Sequence, residues 1–354
     1  MKKKILFFLP TLNGGGAERV SVNLMKQLNR KLFDIYLVLV EETGEYLALI
    51  PSDIKVYSLE SKKTLYSLFK LRQLIKELQP DIVYSTLYRS HVALFLSLIE
   101  IGKRPKTIMR MPNSPKSVID NKEISRVMKY LLDKALKSST KVIAQTPDMK
   151  EEIAFYHNIK VDKIDILINP LDKAFIDKSI EESINPFNNH YINVVASGRL
   201  MYQKGYDILI QAFKKVYERN NNFRLFILGG DYAGEQKKYE NMVEALELKG
   251  VVNFLGFQKN PYIFYNNANL FVMSSRWEGL PNTILENLYL QKPIVATKCM
   301  PFMKNLIEHG QNGFLVEVEN SEKLADAILS YEKLSNLGSF SFFNQGDLNS
   351  KFNI

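Results

Sequence analysis

Ten apolar runs recur along the chain, and stretches with helical spacing separate them. In the first half they are "KILFFLP", "DIYLVLVE", "DIVYSTL", "KTIMRM" and "KVIAQT"; in the second, "INVVASG", "FRLFILGG", "VVNFLG", "NLFVMSS" and "PIVATK". Their Ile, Val, Leu and Phe do not alternate with polar residues, which predicts strands buried on both faces, as in parallel sheets crossed by helices. The alternation of strand and helix lapses at "INPLDKAFIDKSIEESINPFNNHY", where prolines, asparagines and charges follow no sustained period. The expected fold is therefore α/β, with two Rossmann-like domains, 1–175 and 190–335, whose parallel sheets face across a cleft, and a tail, 336–354. Near the end of the second domain, "LIEHGQNGFLVE" offers Gly310 and Gly313 as a helix stop and a turn before a strand, with His309 a surface residue.

One helical segment stands out. In "NKEISRVMKYLLDKALKS", Ile124, Val127, Met128, Leu131, Leu132, Ala135 and Leu136 recur at helical spacing, and Lys122, Arg126, Lys129 and Lys137 mostly avoid that stripe. Charge sharpens the picture. Residues 1–180 carry 30 Lys/Arg against 20 Asp/Glu, whereas the remainder carries 17 against 18, and Lys103 to Lys141 alone has a net charge of +8. A basic face in a basic half suits plain solvation, or else an anionic membrane surface or an anionic lipid-linked substrate. Aromatic residues do not cluster with these charges, which sets nucleic acid aside.

Composition removes other classes. A chain of 354 residues with 46% apolar content can bury two cores. Its one cysteine, Cys299, excludes a disulfide framework, and four histidines without paired spacing leave little material for a zinc site. The start, "MKKKILFFLPTLN", has the lysines of a signal peptide, but the run Ile5 to Leu9 is too short for an h-region or a membrane span. It reads as a first strand of a cytoplasmic protein.

Candidate chemistry lies just after strands, where ligands collect in open parallel sheets. Gly14, Gly15 and Gly16 follow the first strand, and a helix starting near Ala17 would direct its amides at a ligand. A dinucleotide fingerprint would need glycine where Arg19 stands, although Glu41 or Glu42 could serve as its ribose-binding acid. A plain strand-to-helix turn explains the glycines equally well. In "ASGRLMYQKGYDILIQAF", Arg199 and Lys204 flank a loop closed by Gly205, and a guanidinium with an ammonium suits a diphosphate. Two solvated cations are the alternative. In "SSRWEGLPNTILE", Pro281 is placed to begin a helix, with Glu278 in the loop before it and Glu286 inside it. Ile284, Leu285 and Leu288 would pack on the sheet, leaving Asn282, Thr283 and Glu286 on the other side. The helix start attracts an anion and the carboxylates accept from sugar hydroxyls. A solvated face accounts for Glu286, but not for an acid, a glycine and a proline set together.

With these elements in order, the chain from Ile5 to about Glu332 resembles retaining glycosyltransferases of the GT-B fold, specifically glycosyltransferase family 4. The family's Glu-x7-Glu motif fits Glu278 and Glu286, and its "GRL…KG" element fits Arg199 and Lys204. The resemblance implies that Glu278 contacts the donor sugar and Glu286 the nucleotide ribose, that Arg199 and Lys204 bind the diphosphate, and that Gly15 and Gly16 approach the donor phosphates and the acceptor. It adds Gly279, Leu280, Pro281, Asn282 and Thr283 to the donor site and assigns catalysis to Arg199, Lys204 and Glu278. Many members carry a histidine where Met111 and Pro112 stand here, so Arg110 and Asn113 are the candidate acceptor contacts. The tail is short for the family's terminal helix, which crosses back to the first domain.

What the resemblance implies about activity is transfer of a hexose or N-acetylhexosamine from a nucleotide sugar, most commonly a UDP-sugar, with retention of configuration. No metal or other cofactor is expected, since Arg199, Lys204 and the helix start can stabilise the departing diphosphate, and no Asp-x-Asp pair follows a strand. The expected acceptor is a glycan, lipid-linked, in bacterial surface polysaccharide synthesis, and the expected location is the cytoplasm, peripheral on the inner face of the membrane. Two other readings stay open: a nucleotide-sugar epimerase of the same fold, and an NAD-dependent oxidoreductase.

Overall fold

In the computed structural model, which describes residues 2–99, 101–181, 184–334, 348–352 and 354, the chain divides into two units. The first runs to Pro170 and takes in the helix Leu348–Phe352; the second begins at Leu171.

Seven parallel strands form the first sheet: β1 (Lys3–Leu9), β2 (Phe33–Leu39), β3 (Lys55–Ser58), β4 (Ile82–Thr86), β5 (Lys106–Arg110), β6 (Lys141–Ala144) and β7 (Ile164–Ile166), in the order β3-β2-β1-β4-β5-β6-β7. Strand β1 is central, with Ile5 opposite both Ile35 and Ile82. Its residues Ile5 to Leu9 are fully buried, which is why the run is unbroken by polar positions. Leu6 and Phe8 face a core closed by the helices Leu68–Leu78, Tyr88–Ser97, Arg126–Ser138 and Pro147–His157. Phe7 faces the opposite way beside Tyr84, and Phe352 lies over both rings at 6.1 and 5.9 Å. Burying a phenylalanine in this way contributes about 2–3 kcal/mol, and Phe352 is completely covered.

The helix Arg126–Ser138 begins where the Ser125 hydroxyl accepts from the Met128 amide at 3.2 Å. Its apolar stripe is narrower than the spacing predicts. Leu132, Ala135 and Leu136 are buried, but Val127 is 69% exposed. Its basic face is also partly consumed, because Lys129 donates to Asp133 at 2.8 Å and to the Tyr156 carbonyl at 3.1 Å.

The second sheet has six parallel strands: β8 (Ile192–Ser197), β9 (Phe223–Leu228), β10 (Val252–Gly256), β11 (Leu270–Met273), β12 (Ile294–Thr297) and β13 (Gly313–Val316), in the order β10-β9-β8-β11-β12-β13. The helices Tyr206–Arg219 and Ser321–Leu329 pack together over Val194, Leu225 and Leu270. Every predicted run holds a strand. The edge strands β3 and β7 lie outside those runs, because "KVYS" and "IDI" are short and only partly buried.

The segment read as a junction without period contains the helix Lys173–Glu181. It packs on the helix Tyr262–Asn267, with the Phe175 and Tyr262 rings 6.1 Å apart and Asn260 donating to the Ser179 carbonyl at 3.0 Å. Only Ile176 of this helix is buried, so the sequence carries no stripe to reveal it. The partition consequently falls before this helix, ahead of the boundary at 175 read from the pattern. No helix among the described residues is long and apolar enough to cross a membrane.

Candidate active site

In the second sheet β8 and β11 are neighbours, yet the chain leaves β8 toward β9 and β11 toward β12, on opposite sides. The loops at their carboxyl ends therefore diverge, which is where α/β sheets open a crevice for ligands. The residues of "GRL…KG" follow β8, and those of Glu-x7-Glu follow β11.

After β8, a single turn, Tyr202–Lys204, is closed by Gly205 with φ of +62°. A Cβ at Gly205 would lie 2.3 Å from the Ser274 carbonyl oxygen, so glycine is required both for its conformation and for the close approach of the second loop. Gly198 serves the lysine: a Cβ there would meet Lys204 Cε at 2.9 Å, and its absence lets the lysine stem cross the backbone.

Besides Arg276 Nη1, which donates to the Tyr202 carbonyl at 2.6 Å, four hydrogen bonds tie the two loops together. Ser274 Oγ donates to the Lys204 carbonyl at 2.9 Å, the Arg276 amide to the Gln203 carbonyl at 2.7 Å, and Gln203 Nε2 to the Trp277 carbonyl at 2.8 Å. The fourth joins the functional groups: Lys204 Nζ donates to Glu278 Oε1 at 2.6 Å, and Ser275 Oγ donates to the same oxygen at 2.8 Å. Glu278 is only 7% exposed, so the charge is held by partners and not by water. Cys299 lies close by. Burial pushes its thiol well above the usual range, Glu278 adds to this and Lys204 opposes it, so it is neutral and unreactive near pH 7.

Arg276, to which no spacing in the sequence points, holds this arrangement from behind. Its guanidinium forks onto Asp207 at 2.9 and 2.7 Å, donates through Nε to Glu319, and lies 3.8 Å from the Tyr202 ring centroid. Burial works against the charge, but the hydrogen bonds to Asp207 and Glu319 hold the Arg276 pKa above its ordinary value. The Asp207 carboxyl is likewise held low by Arg276 in spite of burial. The only signals in the sequence are an arginine two positions before Glu278 and an aspartate two positions after Gly205, and nothing in their spacing pairs them.

The helix after the second loop is Asn282–Tyr289, and Pro281 precedes it as N-cap with ψ of 114° where first helical position was expected. Glu286 is 3% exposed, and the Tyr262 hydroxyl lies 3.4 Å from its Oε1. The alternative of a solvated face does not hold for Glu286, because Ile284 to Leu288 are all buried: the helix is covered nearly all round. Gly279, Leu280 and Pro281 are buried beside Glu278, while Asn282 and Thr283 are half-buried at the helix start. Arg199 stands on the same loop, five residues before Lys204. Its side chain is exposed and makes no hydrogen bond or ion pair among the described residues.

In the first unit the corresponding reversal lies between β1 and β4. Gly15 caps the helix Gly16–Gln27 with φ of −89°, a conformation open to any residue. The chain's own acids meet this loop: Glu45 accepts from the Gly14 amide at 2.9 Å, and a Cβ at Gly15 would lie 2.2 Å from a Glu18 carboxylate oxygen. Arg110 is 1% exposed and donates to Asn169 Oδ1, Met111 is fully buried, and Asn113 is half-buried. His91, equally unmarked in the sequence, is buried with Nδ1 2.8 Å from Ser85 Oγ and Nε2 3.2 Å from the Arg110 carbonyl, and burial lowers its pKa to about 3. Among the described residues, no three or more His, Cys, Asp or Glu side chains gather as a metal would require.

Two family profiles match in succession: "Glycosyltransferase Family 4" over residues 14–175 and "Glycosyl transferases group 1" over residues 177–338. The chain belongs to the family 4 glycosyltransferases. This glycosyltransferase has the GT-B fold, and it superposes on Anabaena HepE, solved in complex with UDP and glucose, with a TM-score of 0.80 at 21% identity over 99% of this chain and 98% of the other. Among curated relatives it is 26% identical to the Staphylococcus aureus capsular polysaccharide biosynthesis glycosyltransferase CapM, over 95% of this chain and 89% of that one. It is 25% identical to the Campylobacter jejuni N-acetylgalactosamine-N,N'-diacetylbacillosaminyl-diphospho-undecaprenol 4-alpha-N-acetylgalactosaminyltransferase, over 91% of this chain and 88% of that one.

Proposed function

We propose that this glycosyltransferase moves a hexose or N-acetylhexosamine from a UDP-sugar to a lipid-linked glycan, with retention of configuration and without a metal ion, in the assembly of a bacterial surface polysaccharide. The observation that carries the reading is the Lys204–Glu278 pair, held at the β8/β11 reversal beside a helix start. A diphosphate entering there competes with Glu278 for the ammonium, and the amides at the start of the helix Asn282–Tyr289 add donors without reorganisation. Glu278, released from Lys204, accepts from hydroxyls of the donor sugar, and Glu286 accepts from the ribose. Exposed Arg199 is available to a phosphate that approaches from solvent.

In the reaction, the bond between the anomeric carbon and the β-phosphate oxygen breaks as the acceptor hydroxyl oxygen bonds to the same carbon from the same face. The hydroxyl proton passes to the departing phosphate, so UDP leaves with it and no separate general base is needed. The UDP and glucose of HepE support the donor class, and the diphospho-undecaprenol in the name of the Campylobacter relative supports the acceptor class. Titration calorimetry with UDP, followed by donor hydrolysis across a panel of UDP- and GDP-sugars, tests the reading. Binding of UDP that Lys204→Ala weakens is the expected result; no binding of any nucleotide, or binding indifferent to Lys204, overturns it.

A further inference from the structure

The helix Leu68–Leu78 buries Leu71 and Ile75 and packs Leu68, Leu74 and Leu78 against the first unit's core. That stripe is complete without Phe69, which lies off it and is 79% exposed. Tyr66, in the single turn Thr64–Tyr66 just before the helix, is 70% exposed, and Leu65 beside it is 37% exposed. One exposed apolar side chain needs no explanation, but two large rings and a leucine on one short element do.

The charges within the element are of one sign, and the acids Glu60 and Glu77 bound it. Between Ser61 and Lys76 there are five basic residues and no acid. Lys63 Nζ lies 5.4 Å from the Tyr66 ring centroid and Arg72 Cζ lies 5.8 Å from that of Phe69, so each ring has a cation at its side. Arg72 Nε also donates to the Ser97 carbonyl at 3.1 Å and Lys70 Nζ to that of Leu59 at 2.8 Å, which fixes the element in place. Lys62 and Lys63 remain exposed at its edge. Rings flanked by cations match the boundary between acyl chains and anionic headgroups.

We propose that residues 62–72 dock on an anionic phospholipid bilayer, with Tyr66 and Phe69 at the headgroup boundary and Lys62 and Lys63 on the lipid phosphates. A second copy of the chain fits less well, since an isologous contact would set this basic run against itself. The surface is separate from the basic helix Arg126–Ser138, where Val127 and Tyr130 are also exposed but Lys129 pairs with the acid Asp133. It rests on the functional reading only in that a lipid-linked acceptor would place the reaction at a bilayer.

Flotation with vesicles of equal parts phosphatidylglycerol and phosphatidylcholine, against phosphatidylcholine alone, tests this. The intact protein is expected to float only with the anionic vesicles, less well as salt is raised. A Tyr66→Ser/Phe69→Ser variant and a Lys62→Glu/Lys63→Glu variant should each bind about tenfold more weakly, and Arg126→Glu/Lys137→Glu should change binding by less than about twofold. Thermal melting checks that each exposed substitution leaves the fold intact. The proposal is overturned if the wild type does not float, if the first two variants float like it, or if Phe69→Ser instead dissolves a dimer seen by sedimentation. UDP titration in the absence of vesicles separates the two ideas: lost flotation with intact UDP binding removes only the surface, and the converse removes only the functional reading.

Discussion

The two sheets reverse direction in the same way, yet their reversal points are furnished differently. At β8/β11 the loops are tied to each other, and a lysine, two buried glutamates and a helix start are held in fixed relation. At β1/β4 the glycine-rich loop is met by Glu45 and Glu18, and the nearby cation, Arg110, is sealed inside. The difference teaches that fold alone does not specify a binding site: one reversal is preorganised around charge, and the other is occupied by its own side chains.

The comparison breaks first at Lys204. Lys204→Ala should lower turnover by about 10²–10³-fold, as loss of one preorganised donor does, while far-UV circular dichroism remains that of a folded protein. An equal loss from removing the Glu45 carboxylate in Glu45→Gln would show that the first reversal contributes to catalysis no less than the second.

Acid should separate the units. His91 is neutral in the fold with a pKa near 3, against 6.5 when free, so the unfolded chain binds more protons between these values. The stability this contributes is present above pH 6.5 and is lost as pH falls toward 3. At pH 4.5 the first unit should have lost about 2–3 kcal/mol from this residue, at 1.36 kcal/mol per pH unit. His157, also lowered by burial, acts in the same direction. The one tryptophan, Trp277, reports on the second unit, so its urea midpoint should move less than that of circular dichroism, and His91→Gln should flatten the difference.

A smaller effect tests how the second reversal is held. Arg276→Ala should cost about 1–2 kcal/mol of stability and lower kcat about tenfold, with Arg276→Lys recovering little because an ammonium cannot fork onto Asp207. Unchanged kcat in both variants would reduce Arg276 to packing. The glycines give the finest contrast. Gly205→Ala should destabilise by about 2–3 kcal/mol, with strain in a left-handed conformation and a clash with Ser274. Gly15→Ala should cost less than about 1 kcal/mol, since its backbone is ordinary and Glu18 can move aside.

Much of this was legible in the sequence. Buried parallel strands announce themselves because both faces must be apolar, and the glycine-rich loop, the "GRL…KG" element and the Glu-x7-Glu element each follow a strand as the topology requires. The placement of Glu286 was not legible, because a periodicity argument assumes a wet face and this helix has hardly any. Arg276 escaped because its partners are distant in sequence: Asp207 meets it through the adjacency of β8 and β11, and Glu319 through the run β11-β12-β13. Lys173–Glu181 escaped for the opposite reason, having too little buried surface to leave a pattern.

Phe352 closes over Phe7 and Tyr84, rings that leave the ribosome long before it does. During synthesis the amino-terminal sheet must therefore wait, with a greasy flank uncovered, until the other unit has been made. A nascent chain stalled just short of Phe352 would thus offer a chaperone this one flank, with every strand of both sheets already made.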